Sequence, residues 1–208
     1  MLTNIRTSTP PIFDISYQGD FTLVCTDSSG GSVRVWAESL ENLRHFKCGQ
    51  SIKPHKHPIT SIAVSQNSSL FATTSDGKNV RLYRMDGTHF NDLHRGVNSA
   101  EIRAIAFSPN GSLVAIISSN DTCHIFEKSY SSSYMTLISG SPLYTNFDCK
   151  DAKYMAFSSD SSMIIVASDR EVKLRSVFLN KANGQLSSSE VGSYNFVTGE
   201  VVGSMFVK

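Results

Sequence analysis

The sequence is short of charge, of long apolar runs and of clustered cysteine, and each shortage excludes a class of protein. Charged residues make up only 18% of the 208, and 19 Lys and Arg against 18 Asp and Glu leave a net charge of +1. That balance exerts no global pull towards nucleic acid or an acidic membrane, so nucleic acid is not an expected partner and any anion site must be local. The longest apolar runs, Leu113–Ile117 and Met163–Ala167, are five residues each, whereas a membrane-spanning helix needs ~20. The first residues, MLTNIRTSTPPIF, hold no apolar stretch of signal-peptide length, which points to a cytosolic chain. Without a secretory signal, the glycosylation sequons at Asn67, Asn110 and Asn120 carry little weight.

Cys25, Cys48, Cys123 and Cys149 lie far apart with no CxxC pair. Reduced buried thiols are therefore expected, not a zinc site or a disulfide framework. GxSxG, Walker and HExxH signatures are missing, and Ser75-Asp76-Gly77-Lys78 matches SxxK only on a strand-to-turn segment, where it does not open a helix. His55 and His57 have no Cys, Asp or Glu nearby and sit among prolines. Neither catalysis nor a metal or other cofactor is expected.

What is present is apolar material and serine. Hydrophobic residues reach 40%, enough for a core, and serine occurs 34 times, clustered between the apolar runs. That pattern suggests many short strands joined by turns. The runs also repeat. Residues 59–83, ITSIAVSQNSSLFATTSDGKNVRLY, align without a gap on residues 102–126, IRAIAFSPNGSLVAIISSNDTCHIF. Residues 12–36, IFDISYQGDFTLVCTDSSGGSVRVW, fit the same frame, and a weaker fourth copy runs from Ala152 to Val177. Successive copies start 47, 43 and ~50 residues apart.

Each copy reads as an alternating strand, a Ser/Asn/Gly turn, a nearly all-apolar strand buried on both faces, a second turn, and a short alternating strand. Three strands plus a variable fourth at this period predict a WD-repeat-like β-propeller. An immunoglobulin-like sandwich would not repeat its sequence, and helical solenoids would show a 3.6 period. The fold class is all-β, with about four blades at roughly 12–47, 59–95, 102–148 and 152–207. WD-type propellers usually close with more blades than that, so an N-terminally incomplete chain with an exposed blade face is expected.

Leu93-His94-Arg95-Gly96, followed by VNSAEIRAIAFSPNGSLVAIISSNDTCHIF, resembles the PROPPIN family. These are seven-bladed propellers that bind phosphoinositides in autophagy and in endosomal or vacuolar membrane traffic. The family hallmark is Phe/Leu-Arg-Arg-Gly between blades five and six. Pro54-His55-Lys56-His57-Pro58-Ile59 and Phe71-Ala72-Thr73-Thr74-Ser75-Asp76 resemble its Ala-His-Lys-Ser-Pro and Ala-Thr-Ala-Ser-Asp segments. The likeness is strong from about 52 to 127, and it makes the four units similar to family blades four to seven.

The resemblance implies a non-enzymatic, peripheral membrane effector that reads phosphatidylinositol 3-phosphate or the 3,5-bisphosphate and works with autophagy partner proteins. It would act on autophagosomal precursor, endosomal or vacuolar membranes. By the same resemblance one pocket uses Arg95 with Ser118 or Ser119, Thr122 and His124. The other uses His94 with Thr74, Ser75 and Arg81, joined by His55. Adjacent residues of an extended chain face opposite sides, which suits that division. His94 replaces the first motif arginine and carries full charge only below ~6.5 when unperturbed, so its pocket is expected to be weaker and pH-dependent. Residues 127–145 form a connection longer than a blade turn. By resemblance it is membrane-facing and inserts Tyr134, Met135, Leu137, Ile138, Leu143 and Tyr144.

Structural readings stand beside these. Ser and Thr after an inner strand are ordinary turn residues, and His124 fits the hydrogen-bond networks of many WD-type blades. Arg34 occupies the repeat position of Arg81 in a blade where no lipid site is expected. The rival function is a WD-repeat protein-interaction scaffold without lipid binding.

Overall fold

The computed structural model describes residues 12–18, 22–27, 32–39, 42–57, 59–65, 70–75, 80–92, 100–127, 144–180 and 185–195. Every regular element among them is a strand, and the strands form four four-stranded antiparallel sheets, each a meander. Blade one holds β1 (Ile12–Gln18), β2 (Thr22–Asp27), β3 (Ser32–Ser39) and β4 (Asn42–Ile52). Blade two holds β5 (Ile59–Val64), β6 (Leu70–Ser75), β7 (Val80–Arg84) and β8 (His89–Asp92). Blade three holds β9 (Ile102–Phe107), β10 (Leu113–Ser118), β11 (Thr122–Glu127) and β12 (Tyr144–Asp148). Blade four holds β13 (Tyr154–Phe157), β14 (Met163–Ala167), β15 (Glu171–Asn180) and β16 (Gln185–Asn195). The first strand of each blade contacts the first strand of the next, so β1, β5, β9 and β13 form the inner wall. This is a β-propeller arc of about four blades.

The second strand of each unit explains the packing. All six residues of β6 and all six of β10 are buried, so alternate side chains enter the cores on either side of the sheet. Val114 and Ile116 join Ala63, Ala72, Val80 and Leu82 in the core between blades two and three. Leu113, Ala115 and Ile117 join Phe157, Ile164 and Val166 between blades three and four. Val33 packs with Ile59, Ile62 and Phe71 between blades one and two. Each large aliphatic buried this way contributes ~1.5–3 kcal/mol of transfer free energy. In β14 the double burial is partial: Ile164 and Val166 are buried towards blade three, while on the other face Ala167 is buried and Met163 and Ile165 are half-buried.

The serine clusters are turn chemistry. In blade three the Ser108 hydroxyl donates to Asn110 Oδ1 at 2.7 Å and accepts from the Leu113 amide at 2.9 Å, while Asn110 Oδ1 also accepts from the Ser112 amide at 2.9 Å. Blade four repeats the turn with Ser158, Asp160, Ser162 and Met163. Gly111 and Ser161 hold the same place in the two turns with φ of 70° and 63°, in the left-handed region that favours glycine. Ser161 Oγ accepts a hydrogen bond from the Asn110 amide at 3.1 Å, tying the two turns together.

Candidate functional site

The polar residues singled out by the repeat collect at one end of blades two and three, where β5 and β9 begin and β6 and β10 end. The register fixes this: Ile59 lies opposite Ser75, Thr73 opposite Arg81, Arg81 opposite Asp92, and Ile102 opposite Ser118. The connection between β8 and β9, which carries Leu93-His94-Arg95-Gly96, therefore leaves and re-enters the fold at that end. His94, Arg95 and Asn79 lie outside the described residues.

In blade two, His55 Nε2 lies 2.9 Å from Thr73 Oγ1 in a buried contact. The Arg81 guanidinium donates from Nη1 to the Pro54 carbonyl. Both anchor the approach to β5. The Thr60 and Thr74 hydroxyls are 2.8 Å apart, and Thr60 Oγ1 donates across the blade interface to the Ile102 carbonyl at 3.3 Å. Thr73, Thr74 and Ser75 are buried.

In blade three, Ser118 Oγ lies within hydrogen-bonding distance of the Thr122 carbonyl at 3.0 Å, of Asn120 Oδ1, and of His124 Nε2 at 3.2 Å. The Ser119 amide donates to the Glu101 carbonyl at 2.7 Å, and its hydroxyl accepts from the Glu101 amide at 3.1 Å. Thr122 Oγ1 donates to the Asn120 carbonyl at 3.4 Å. His124 is 6% exposed and stacked on Phe126, with ring centroids 6.3 Å apart. Burial takes its imidazole down from 6.5 to about 4, because a charged ring there would lose its water. His124 is thus neutral near pH 7 and offers a hydrogen bond but no charge.

The register explains why a base stands here. Arg34 lies opposite Cys25, Arg81 opposite Thr73, His124 opposite Ile116, and Lys173 opposite Val166. A basic residue recurs near the start of the third strand in every blade. Among the described side chains this position is engaged within the fold: Arg81 on the Pro54 carbonyl, His124 beside Ser118, and Lys173, whose Nζ is 3.5 Å from Glu171.

Beside these residues the inner wall opens into a cavity of about 660 Å³, lined by Thr60, Glu101, Arg103, Lys153, Asp169 and Arg170 among others. Its charges largely pair: Arg103 with Asp121 at 3.0 Å and Lys153 with Asp169 at 2.7 Å. Sequence reasoning missed this wall. Its signal was available, since Thr60, Arg103 and Lys153 are each the second residue of their repeat copy.

Of the expected membrane-loop residues, Tyr134, Met135, Leu137, Ile138 and Leu143 lie outside the described residues. Tyr144 is the first residue of β12, opposite Phe126. Among the described residues no helix is long and apolar enough to cross a membrane, and no group of three His, Cys, Asp or Glu could hold a metal ion.

A family profile for the anaphase-promoting complex subunit 4 WD40 domain matches residues 62–145. The chain is similar to SVP1-like protein 2 of Saccharomyces cerevisiae, at 38% identity over 78 residues, which is 36% of this chain and 17% of that protein. It is similar to Autophagy-related protein 18 of Schizosaccharomyces pombe, at 35% identity over 105 residues, 50% of this chain and 27% of that protein. Its fold matches the solved structure of Kluyveromyces lactis Hsv2 with a TM-score of 0.66 at 19% identity, covering 87% of this chain and 61% of that one. The chain thus spans under a third of the length of these curated relatives. The repeat, the arc of four-stranded blades and these relatives bear out the resemblance to the PROPPIN family of β-propellers over part of the chain.

Proposed function

We propose that the chain is a non-enzymatic phosphoinositide-binding effector in autophagy-related membrane traffic, reading phosphatidylinositol 3-phosphate or the 3,5-bisphosphate on autophagosomal precursor, endosomal or vacuolar membranes. What supports this reading is that β8 ends and β9 begins at the hydroxyl-bearing ends of two neighbouring blades, with Leu93-His94-Arg95-Gly96 between them in sequence. A relative named as autophagy-related supports the cellular setting.

On this reading Arg95 supplies the main contact, a permanent charge able to grip a phosphate bidentately. Ser118, Ser119 and Thr122 add polar neutral donors, and His124 adds an uncharged one. In the second pocket, His94 acts with Thr74, Ser75 and Arg81, and its charge grows as pH falls through its titration. The apolar residues between 127 and 145 add interfacial burial, and two weak pockets plus a loop reach useful affinity together. Autophagy proteins are the expected macromolecular partners.

The test is liposome flotation with and without each phosphoinositide at pH 6 and pH 7.5. Arg95→Thr should lose lipid-dependent flotation by about tenfold or more, the worth of a charge-assisted contact, while melting like the parent. Folded protein that ignores the lipids would overturn the reading. A second reading, a WD-repeat interaction scaffold, is favoured by the internal bonds that already engage Arg81, Thr74 and Ser118. It predicts indifference to Arg95→Thr and sensitivity to substitutions on blade rims.

A further inference from the structure

None of the residues lining the cavity of about 660 Å³ in the inner wall belongs to the proposed lipid pockets. The cavity spans three blades. Thr60 is second in β5, Arg103 is second in β9, Lys153 immediately precedes β13, and Asp169 and Arg170 lie between β14 and β15. Its volume falls in the ~300–1,000 Å³ range of ligand pockets, well beyond what a single ion fills.

Each blade engages the second residue of its repeat copy in the same way. The Thr60 hydroxyl meets that of Thr74 at 2.8 Å, and Arg103 meets Asp121 at 3.0 Å. Lys153 donates to both carboxylate oxygens of Asp169 at 2.8 and 2.7 Å. Arg103 also donates to the Ser119 carbonyl at 3.4 Å. Both inner-wall cations are therefore already occupied. The residue before each copy is Pro58 in blade two, Glu101 in blade three and Asp151 in blade four. Among the described residues the side chains of Glu101, Asp151 and Arg170 form no ion pair, and all three are exposed at the cavity. The backbone of Asp151 is fixed there, with φ of 54° and its amide donating to Asp121 Oδ1 at 3.1 Å. The wall thus presents uncommitted charge of both signs, two carboxylates and one guanidinium.

We infer that this cavity receives an extended segment of a partner protein carrying a basic and an acidic side chain, the basic one against Glu101 and Asp151 and the acidic one against Arg170. Charge complementarity selects that occupant. A ligand with negative charge alone meets the two carboxylates, and one with positive charge alone meets Arg170. The internal pairs of Arg103 and Lys153 keep the wall set before binding, which lowers the ordering cost. Lipid binding uses other residues, so the two can fail separately.

The probe is a blocked hexapeptide of alternating lysine and glutamate, titrated into the full chain by calorimetry at about 50 mM salt, where screening is weak. It should bind with a dissociation constant below about 1 mM. Hexaglutamate and hexalysine should each bind at least about threefold more weakly. Glu101→Gln combined with Asp151→Asn should weaken the mixed peptide about fivefold, and Arg170→Gln about threefold. Asparagine accepts the left-handed backbone at residue 151, and all three positions are exposed, so the variants should melt like the parent. No binding of the mixed peptide, equal or tighter binding of either single-sign peptide, or undiminished binding by the double variant would overturn the assignment.

Discussion

If His124 is held neutral by burial, mild acid should destabilise the fold through this one residue. The unfolded chain binds a proton at His124 with the ordinary affinity, near 6.5, and the folded chain only near 4. Because the folded value is the lower one, the unfolded state takes up the proton first. Stability is full above about 6.5, falls as pH drops through the window from 6.5 to 4, and levels off below it. Each pH unit in that window is worth about 1.4 kcal/mol. The gap corresponds to about 3 kcal/mol at full value, or about 2 kcal/mol once allowance is made for water reaching the blade end where His124 sits. Its fixed partner in this account is Ser118 Oγ at 3.2 Å.

The assay is urea denaturation of the parent and of His124→Gln at pH 7.5, 6, 5 and 4. The neutral amide can still hydrogen-bond but cannot take the proton, so the acid loss should shrink by about 2 kcal/mol in the variant relative to the parent. Nuclear magnetic resonance of the His124 ring should show no titration between pH 6 and 7.5. A ring that titrates near 6.5, or a variant with an unchanged acid slope, would refute the burial argument and reopen His124 as a charged phosphate ligand.

Two further expectations follow from the turns and cores. Asp160 is held down to about 2 by hydrogen bonds from Ser158 and Ser162. Its contribution is complete above about 3.8 and disappears as pH falls towards 2, and Asp160→Asn, which copies Asn110 of the blade-three turn, should flatten melting temperature against pH in that window. Ile117, fully buried between blades three and four, should cost about 3 kcal/mol when cut to alanine, read as a lower urea midpoint at unchanged slope; a cost below about 1 kcal/mol would mean that the core there is not close-packed.

The blades themselves were legible because each is specified locally. The two-sided burial of β6 and β10 is written in LFATTS and LVAIIS, and the turns in Ser-Pro-Asn-Gly-Ser and Ser-Ser-Asp-Ser-Ser. Arg34 and Arg81 already showed a repeated base, and strand register extended the rule to Lys173 despite one residue fewer in its turn. The expected long connection after β11 needed adjustment at its far end, since Tyr144 opens β12.

The amino-acid order by itself therefore determined the architecture, because burial on two faces and turn geometry depend on residues a few places apart and recur copy after copy. It also placed the candidate lipid residues on neighbouring units. Only the tertiary structure decided which polar groups bond across distant parts of the chain. Arg81 reaches Pro54, Thr60 reaches Ile102, and the Asn110 amide reaches Ser161, across separations of 27, 42 and 51 residues. The neutrality of His124 likewise comes from the stacking of sheets around it, a desolvation that no local pattern encodes.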